Sequence, residues 1–176
     1  MKKIKIATIW LDGCSGCHMS LLDLDTALIP MARKMELVYG PLVDAHEFPE
    51  DVDVTFIEGA VSTDEEVEKV HRIRQSSKIV VALGDCAVTG NVAAMRNTVP
   101  LKKLLQSVYV EKSDRDGAIP TENLPQLAPQ CRPVQDFIKI DISVPGCPPQ
   151  SKVIGELLDS LIDNRKPEAA MKLRFG

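Results

Sequence analysis

Nowhere in its 176 residues does the sequence carry the run of about 20 apolar residues that a membrane-spanning helix requires, so no membrane segment is expected. Residues 1–11 have a charged tip, but the apolar run behind it is broken by Lys5 and stopped by Asp12. That is short of the apolar stretch and small-residue cleavage site of a signal peptide, and a cytoplasmic location is expected. There is no block of five or more basic residues; 21 Lys and Arg stand against 25 Asp and Glu, for a net charge of -4 and a pI near 5.4. Nucleic acid is therefore not expected as a partner. No internal repeat is present, and the length suits one domain with a sizeable core. In the cytosol thiols stay reduced, so the five cysteines point to metal binding or redox chemistry before structural disulfides.

Apolar, β-prone runs alternate with helical patterns. Residues 4–11 read as a strand that runs into the glycine-broken segment Asp12-Gly13-Cys14-Ser15-Gly16-Cys17. A helix is predicted next, with Met19, Leu21, Leu22, Leu24, Ala27 and Leu28 as its apolar stripe until Pro30 interrupts it. Strands are predicted over 35–39 and 52–57, the second ended by Glu58-Gly59. Ser62 and Glu65 have the spacing of a capping box for a helix buried through Val67, Val70 and Ile73. The continuous apolar run in 78–83 suits a strand covered on both faces and stops at Gly84-Asp85-Cys86. Beyond it, 91–96 and 101–105 look helical, with Pro100 as a helix start. The Pro-rich stretch 111–133 reads as a long surface loop. A last strand over 137–144 ends at Pro145-Gly146-Cys147-Pro148-Pro149, and a last helix covers 151–162. The pattern implies an α/β fold, a flavodoxin-like doubly wound parallel sheet in one domain spanning 1–176. Strand order is not readable from it.

Position sets four of the cysteines apart. Cys14 and Cys17 follow the first strand, Cys86 the fourth and Cys147 the fifth, so all four fall just past strand C-termini. In an open parallel sheet those termini share one edge, where such folds bind ligands. Four thiolates around a point suit iron–sulfur or zinc chemistry. Gly13, Gly16, Gly84 and Gly146 stand close to the cysteines and leave room for backbone amides to approach cluster sulfides. Cys17 opens a helix, whose N-terminal charge favours a thiolate. Pro148 after Cys147 matches the Cys-Pro ending of a ferredoxin cluster run. Structural zinc usually takes two closely spaced couples, whereas this chain has one couple and two singles. A thiol–disulfide oxidoreductase using Cys14 and Cys17 alone stays open, since CxxC between a first strand and a helix is also its layout. That reading leaves Cys86 and Cys147 unexplained. Cys131, in the Pro-rich stretch with no glycine beside it, reads as a spare buried thiol.

At these residues the chain resembles the small subunits of [NiFe] hydrogenases and, more distantly, the cluster-bearing subunit of respiratory complex I. The matching segments are Cys14-Ser15-Gly16-Cys17-His18-Met19-Ser20-Leu21-Leu22, Ile57-Glu58-Gly59-Ala60, Gly84-Asp85-Cys86-Ala87-Val88-Thr89-Gly90 and Pro145-Gly146-Cys147-Pro148-Pro149. The resemblance implies that Cys14, Cys17, Cys86 and Cys147 ligate one [4Fe–4S] cluster near a Ni–Fe centre held by a separate large subunit. The sequence has no twin-arginine signal and cysteines for only one cluster, so it looks like the short small subunit of soluble, NAD-reducing, bidirectional hydrogenases. In that family electrons pass to diaphorase subunits carrying FMN and iron–sulfur clusters. Small subunits serving a deazaflavin, viologen or sulfur-reducing module stay open. The complex I homologue has adjacent cysteines where Cys14 and Cys17 are two residues apart here.

Glu58, at a strand end beside Gly59, is a candidate for proton handling or for positioning a ligand, with a carboxylate bonded to loop amides as the plainer role. Asp12 and Asp85 precede cysteines and can accept backbone hydrogen bonds or serve as turn residues. His18, His46 and His71 are not expected to be ligands, and Thr89-Gly90 is expected to cap the next helix. Bound FMN is not expected, because no Gly-rich phosphate loop free of cysteines follows the first strand. The tail, 164–176, combines basic residues with Ala169, Ala170 and Met171 and suits either partner docking or a frayed end.

Overall fold

The computed structural model describes residues 3–115 and 117–165. Most of the tail expectation therefore lies outside the described residues. In chain order the strands are β1 (Ile4–Trp10), β2 (Met35–Tyr39), β3 (Val52–Glu58), β4 (Val61–Thr63), β5 (Ser77–Leu83), β6 (Leu127–Arg132) and β7 (Ile142–Val144). The α-helices are α1 (Gly16–Leu22), α2 (Leu28–Met31), α3 (Asp64–Ser76), α4 (Asp85–Thr89), α5 (Leu101–Gln106) and α6 (Ser151–Ile162).

Five strands form a parallel sheet in the order β2-β1-β3-β5-β7. This is the flavodoxin-like order, with its switch point between β1 and β3. The strands are apolar on both faces because both are covered. Val54, Phe56, Val81 and Leu83 pack with Ile154, Leu157 and Leu158 of α6 on one side. Ile57, Val80 and Ala82 pack with Val70 and Ile73 of α3 and with Ala87 and Val88 of α4 on the other. Alternation along each strand assigns neighbours to opposite cores. Register then aligns the strand ends: Trp10 pairs with Glu58, Glu58 with Leu83, and Leu83 with Val144. Whatever follows these residues is delivered to one edge.

Several expectations need correction. The helix after Cys17 is not continuous to Pro30. It ends at Leu22, a 3₁₀ turn covers Asp25–Ala27, and Pro30 sits inside the short α2. Proline is tolerated there because its position lies within the first turn, where no intrahelical donor is required. The capping box is displaced by one residue. Extended backbone persists through Thr63, whose Oγ1 accepts the Glu66 amide at 3.2 Å while Glu66 Oε2 accepts the Thr63 amide at 3.0 Å. Ser62 donates to the same carboxylate. The segment predicted helical at 91–96 forms a 3₁₀ helix, Ala93–Thr98, and α5, with Pro100 at its N-cap, continues as a π turn over Ser107–Glu111.

The stretch 111–133 is not loop throughout: β6 occupies its end and pairs antiparallel with β4. Pro129 inside β6 obscures its strand pattern, and an edge ribbon of two strands tolerates it. The strand predicted over 137–144 shrinks to β7, because Val134 and Ile138 turn into the second core instead of pairing. Asp141 takes over the edge of β5 before β7 begins. Its carboxylate accepts the Val80 amide at 2.8 Å and its own amide donates to the Val80 carbonyl at 3.0 Å. Among the described residues no helix is long and apolar enough to cross a membrane.

Candidate metal centre

Cys14, Cys17, Cys86 and Cys147 are each presented by the turn or helix start that follows a strand. After β1, Ser15 adopts a left-handed conformation at the N-cap of α1, leaving Cys14 exposed and Cys17 buried in the first turn. After β5, Gly84 caps α4, whose first turn carries Cys86. After β7, Gly146 turns the chain and leaves Cys147 exposed ahead of Pro148 and Pro149.

Gly84 is the contact between these turns. A Cβ built on it would stand 2.3 Å from Cys17 Sγ and 3.5 Å from the Gly146 carbonyl oxygen. The Cys17 thiol thus occupies the space that a side chain at 84 would need, beside a glycine that precedes Asp85-Cys86 and lies near the residue before Cys147. Burial pushes the Cys17 thiol far above its ordinary range, and Glu58, Cys86, Cys14 and Cys147 add to the shift through their charges. Burial also raises Cys86, against which the Ala93 and Val92 amides pull. The four predicted cysteines therefore share one electrostatic environment. A thiol buried among thiols and a carboxylate is poorly served by its own anion, and bound cations reverse that preference by deprotonating it outright.

Glu58 closes the floor of the site. It is buried at 2 % exposure, and the acceptors it offers are used by the turn that carries Cys17. Oε1 accepts the Cys17 amide at 3.4 Å, and Oε2 accepts the His18 amide at 3.0 Å as well as a close contact from His18 Nδ1. Helix N-terminal amides have no intrahelical acceptor, so the carboxylate satisfies what α1 leaves open. Asp85 ties two other turns together: its Oδ1 accepts the Gly146 amide at 2.6 Å and its amide donates to the Gly146 carbonyl at 2.9 Å. Ser20 Oγ donates to the Pro149 carbonyl at 2.5 Å and fastens α1 to the Cys147 turn. The sequence reading missed Ser20; a hydroxyl on the buried side of an apolar helix was the available signal.

The remaining candidates separate. Asp12 and Ala60 exchange backbone hydrogen bonds at 3.1 and 2.9 Å, which ties the first cysteine turn to the end of β3. His46 and His71 are exposed and away from the edge sequences. Gly90 does not cap a following helix; it ends α4 in a left-handed conformation while Thr89 Oγ1 donates to the Asp85 carbonyl at 2.9 Å. Cys131 lies not in a loop but buried in β6, its backbone held by Asn97 at 2.7 and 2.8 Å. Its thiol faces the Asp12 carboxylate at 3.9 Å. Burial, helped by that carboxylate, raises this thiol to about 11.

Among the described residues no three His, Cys, Asp or Glu side chains close around a single-ion position. Four soft sulfur donors on one edge, with a glycine cradle and a satisfied carboxylate beneath, fit a four-cysteine iron–sulfur cluster, whose thiolates ligate separate irons instead of meeting at one.

Fold and site together define the class: a flavodoxin-like α/β protein with a thiol-lined carboxyl edge. Residues 14–161 match the family described as NADH ubiquinone oxidoreductase, 20 Kd subunit, and the chain belongs to that family. It is 38% identical over 172 residues to a vhu subunit of the F420-non-reducing hydrogenase of Methanocaldococcus jannaschii, covering 97% of this chain and 60% of that protein. To the NAD-reducing hydrogenase HoxS subunit delta of Cupriavidus necator it is 37% identical over 168 residues, covering 93% of this chain and 80% of that one. A chain in the crystal structure of an NAD+-reducing [NiFe]-hydrogenase in the H2-reduced state superposes with a TM-score of 0.94 at 35% identity, over 99% of this chain and 100% of the other. Within its family the protein is a small subunit of the [NiFe]-hydrogenase type. It spans about 60% of the length of the Methanocaldococcus relative.

Proposed function

We propose that Cys14, Cys17, Cys86 and Cys147 hold one [4Fe–4S] cluster, and that the chain is the electron-transferring small subunit of a cytoplasmic [NiFe] hydrogenase. The observation that carries this is the meeting of three strand-end turns at Gly84, with Cys17 Sγ seated where a Cβ would otherwise be. When bound, the cluster supplies a site that takes and gives one electron at a time. A large subunit would cleave H2 into two protons and two electrons. The electrons would leave through a diaphorase pair, where NAD+ takes both with one proton to give NADH.

The chain's own residues prepare the site. Glu58 accepts the amides of Cys17 and His18, and so holds the backbone that carries the Cys17 side chain. Asp12 and Ala60 hold the same turn from the other side. Trp10, Met19, Val92 and Met95 flank the cysteine turns in sequence and remain exposed, offering the large subunit an apolar surface that would shut water away. Similarity over the whole of the NAD+-reducing hydrogenase chain supports the NAD-linked acceptor. The comparable identity to a protein of an F420-non-reducing hydrogenase favours a second reading, in which the same cluster feeds a different acceptor module.

The test is anaerobic isolation of the complex, with iron, acid-labile sulfide and the EPR spectrum of the reduced protein measured for wild type, Cys86→Ser and Cys147→Ser. A cluster predicts a brown protein whose iron falls sharply in both variants. Protein without iron would overturn the reading. Disulfide reductase activity that survives both substitutions would establish a CxxC oxidoreductase instead. H2-dependent reduction of NAD+ by the complex separates the two acceptor readings.

A further inference from the structure

Two carboxylates are buried among the described residues, Glu58 and Asp85, and both are spent on the cysteine turns. Among those residues Asp85 forms no ion pair with a basic side chain, and the hydrogen bond its carboxylate accepts comes from the Gly146 amide at 2.6 Å. Burying a charge without a counter-charge is costly unless a strong hydrogen bond offsets it. Serine or asparagine could accept the same amide more cheaply, so a carboxylate here calls for a use.

Its place in the fold suggests one. β7 is three residues long, and Cys147 stands exposed beyond it with no helix until Ser151. Of the three cysteine-bearing turns this one has the least regular structure behind it. It is held at its two ends: Gly146 by both the backbone and the carboxylate of Asp85, Pro149 by Ser20 Oγ. One step further back, the Gly84 amide donates to the Val144 carbonyl at 2.8 Å. Asp85 is next to Cys86, and Gly146 is next to Cys147, so the Asp85–Gly146 pair spans the two cysteines.

Resting on the cluster reading above, we infer that Asp85 is a positioning residue that sets Cys147 relative to Cys86 and places a fixed negative charge beside the cluster. A charge-assisted bond is shorter and stronger than a neutral one, which suits a clamp on an otherwise unsupported turn. Negative charge near a cluster disfavours the added electron, and net charge and hydrogen bonding are among the levers that set its potential.

The experiment uses the full chain in its anaerobically isolated complex, with Asp85→Ala and Asp85→Asn. The readouts are iron loss to a chelator, the midpoint potential with the EPR spectrum, and amide exchange at Gly146 in the iron-free chain. Asp85→Ala should speed iron loss by about 10–100-fold, the usual cost of removing such an outer partner, and should deprotect the Gly146 amide. Asp85→Asn, whose carbonyl oxygen can accept the same N–H, should restore iron retention and protection yet move the midpoint to higher potential. Wild-type iron retention and Gly146 protection in Asp85→Ala would overturn the inference. If Asp85→Ala does not accumulate, an Asp85→Asn protein with unchanged midpoint and EPR spectrum overturns it. If the wild-type complex itself lacks iron, the proposed function fails, and exchange at Gly146 still decides the clamp.

Discussion

Replacing Gly84 by alanine strikes both the backbone and the site, and its cost can be worked from the structure. Gly84 has φ 85° and ψ 161°, a region that is essentially reserved for glycine. Holding an L-residue there costs on the order of 1–3 kcal/mol. The new methyl would also fall 2.3 Å from Cys17 Sγ, a distance that no Cβ tolerates. Cys17 is buried in the first turn of α1 and cannot swing away freely, so overpacking adds about 1–3 kcal/mol. The sum, about 2–6 kcal/mol, is a large share of the roughly 5–15 kcal/mol that stabilises a typical domain. For a chain of this size that corresponds to a melting point lower by roughly 5–20 °C, read by circular dichroism on the iron-free protein. Gly16→Ala is the control. Its Cβ would meet the Cys14 sulfur at 3.3 Å, but Cys14 is exposed and can yield, while alanine improves helix propensity. Gly16→Ala should therefore melt within a few degrees of wild type. If the two variants lose equal stability, or if Gly84→Ala melts like wild type, the proposed seating of Cys17 over Gly84 is wrong.

Other outcomes follow from particular contacts. Burial alone would raise Asp141, but hydrogen bonds from Arg74 and the Val80 amide, with the charges of Arg74 and Lys139, outweigh it and hold its carboxyl below the ordinary 3.8. A depressed carboxyl stabilises the fold above its unfolded pKa and loses that contribution as pH falls through the folded one. Asp141→Asn should thus cost about 1.5–3 kcal/mol at pH 7, and urea melts should show the gap to wild type closing below about pH 4. The Cys131 thiol, at about 11, is only about one part in a thousand thiolate at pH 8, so mass spectrometry should show Cys131 alkylated well after the exposed Cys14 and Cys147 in the iron-free chain. Cys131→Ser should leave the iron content of the complex at the wild-type level, whereas a loss comparable to that of Cys86→Ser would make it a ligand. Phe56 of β3, buried against α6, should cost about 3–5 kcal/mol when cut to alanine, measured by chemical denaturation.

Periodicity and punctuation carried much of this molecule in one dimension. A continuous apolar run marked β5, whose two faces are both covered, β-prone runs marked β1 and β3, and glycine followed each where the chain turns at the edge. The motif positions of Cys14, Cys17, Cys86, Cys147 and Glu58, each at or just past a strand end, were legible for the same reason: parallel strands send their C-termini one way. Where local pattern and tertiary context disagreed, context prevailed. Residues 137–141 alternate like a strand but turn into a core that only the packed helices create. The Pro-rich stretch hides β6, whose partner β4 is three residues long and more than sixty residues earlier.

By itself, then, the amino-acid order determined which turns bear thiols and that those turns lie on one edge. It could not determine strand order, nor which turns touch, because contacts between segments far apart in sequence depend on register and helix packing. Tertiary structure alone decided that Cys17 sits over Gly84, that Glu58 serves the amides of Cys17 and His18, and that Asp85 holds the turn of Cys147. Each of these is a hydrogen bond or a steric exclusion across the sheet edge, and none has a local signature that a linear sequence could display.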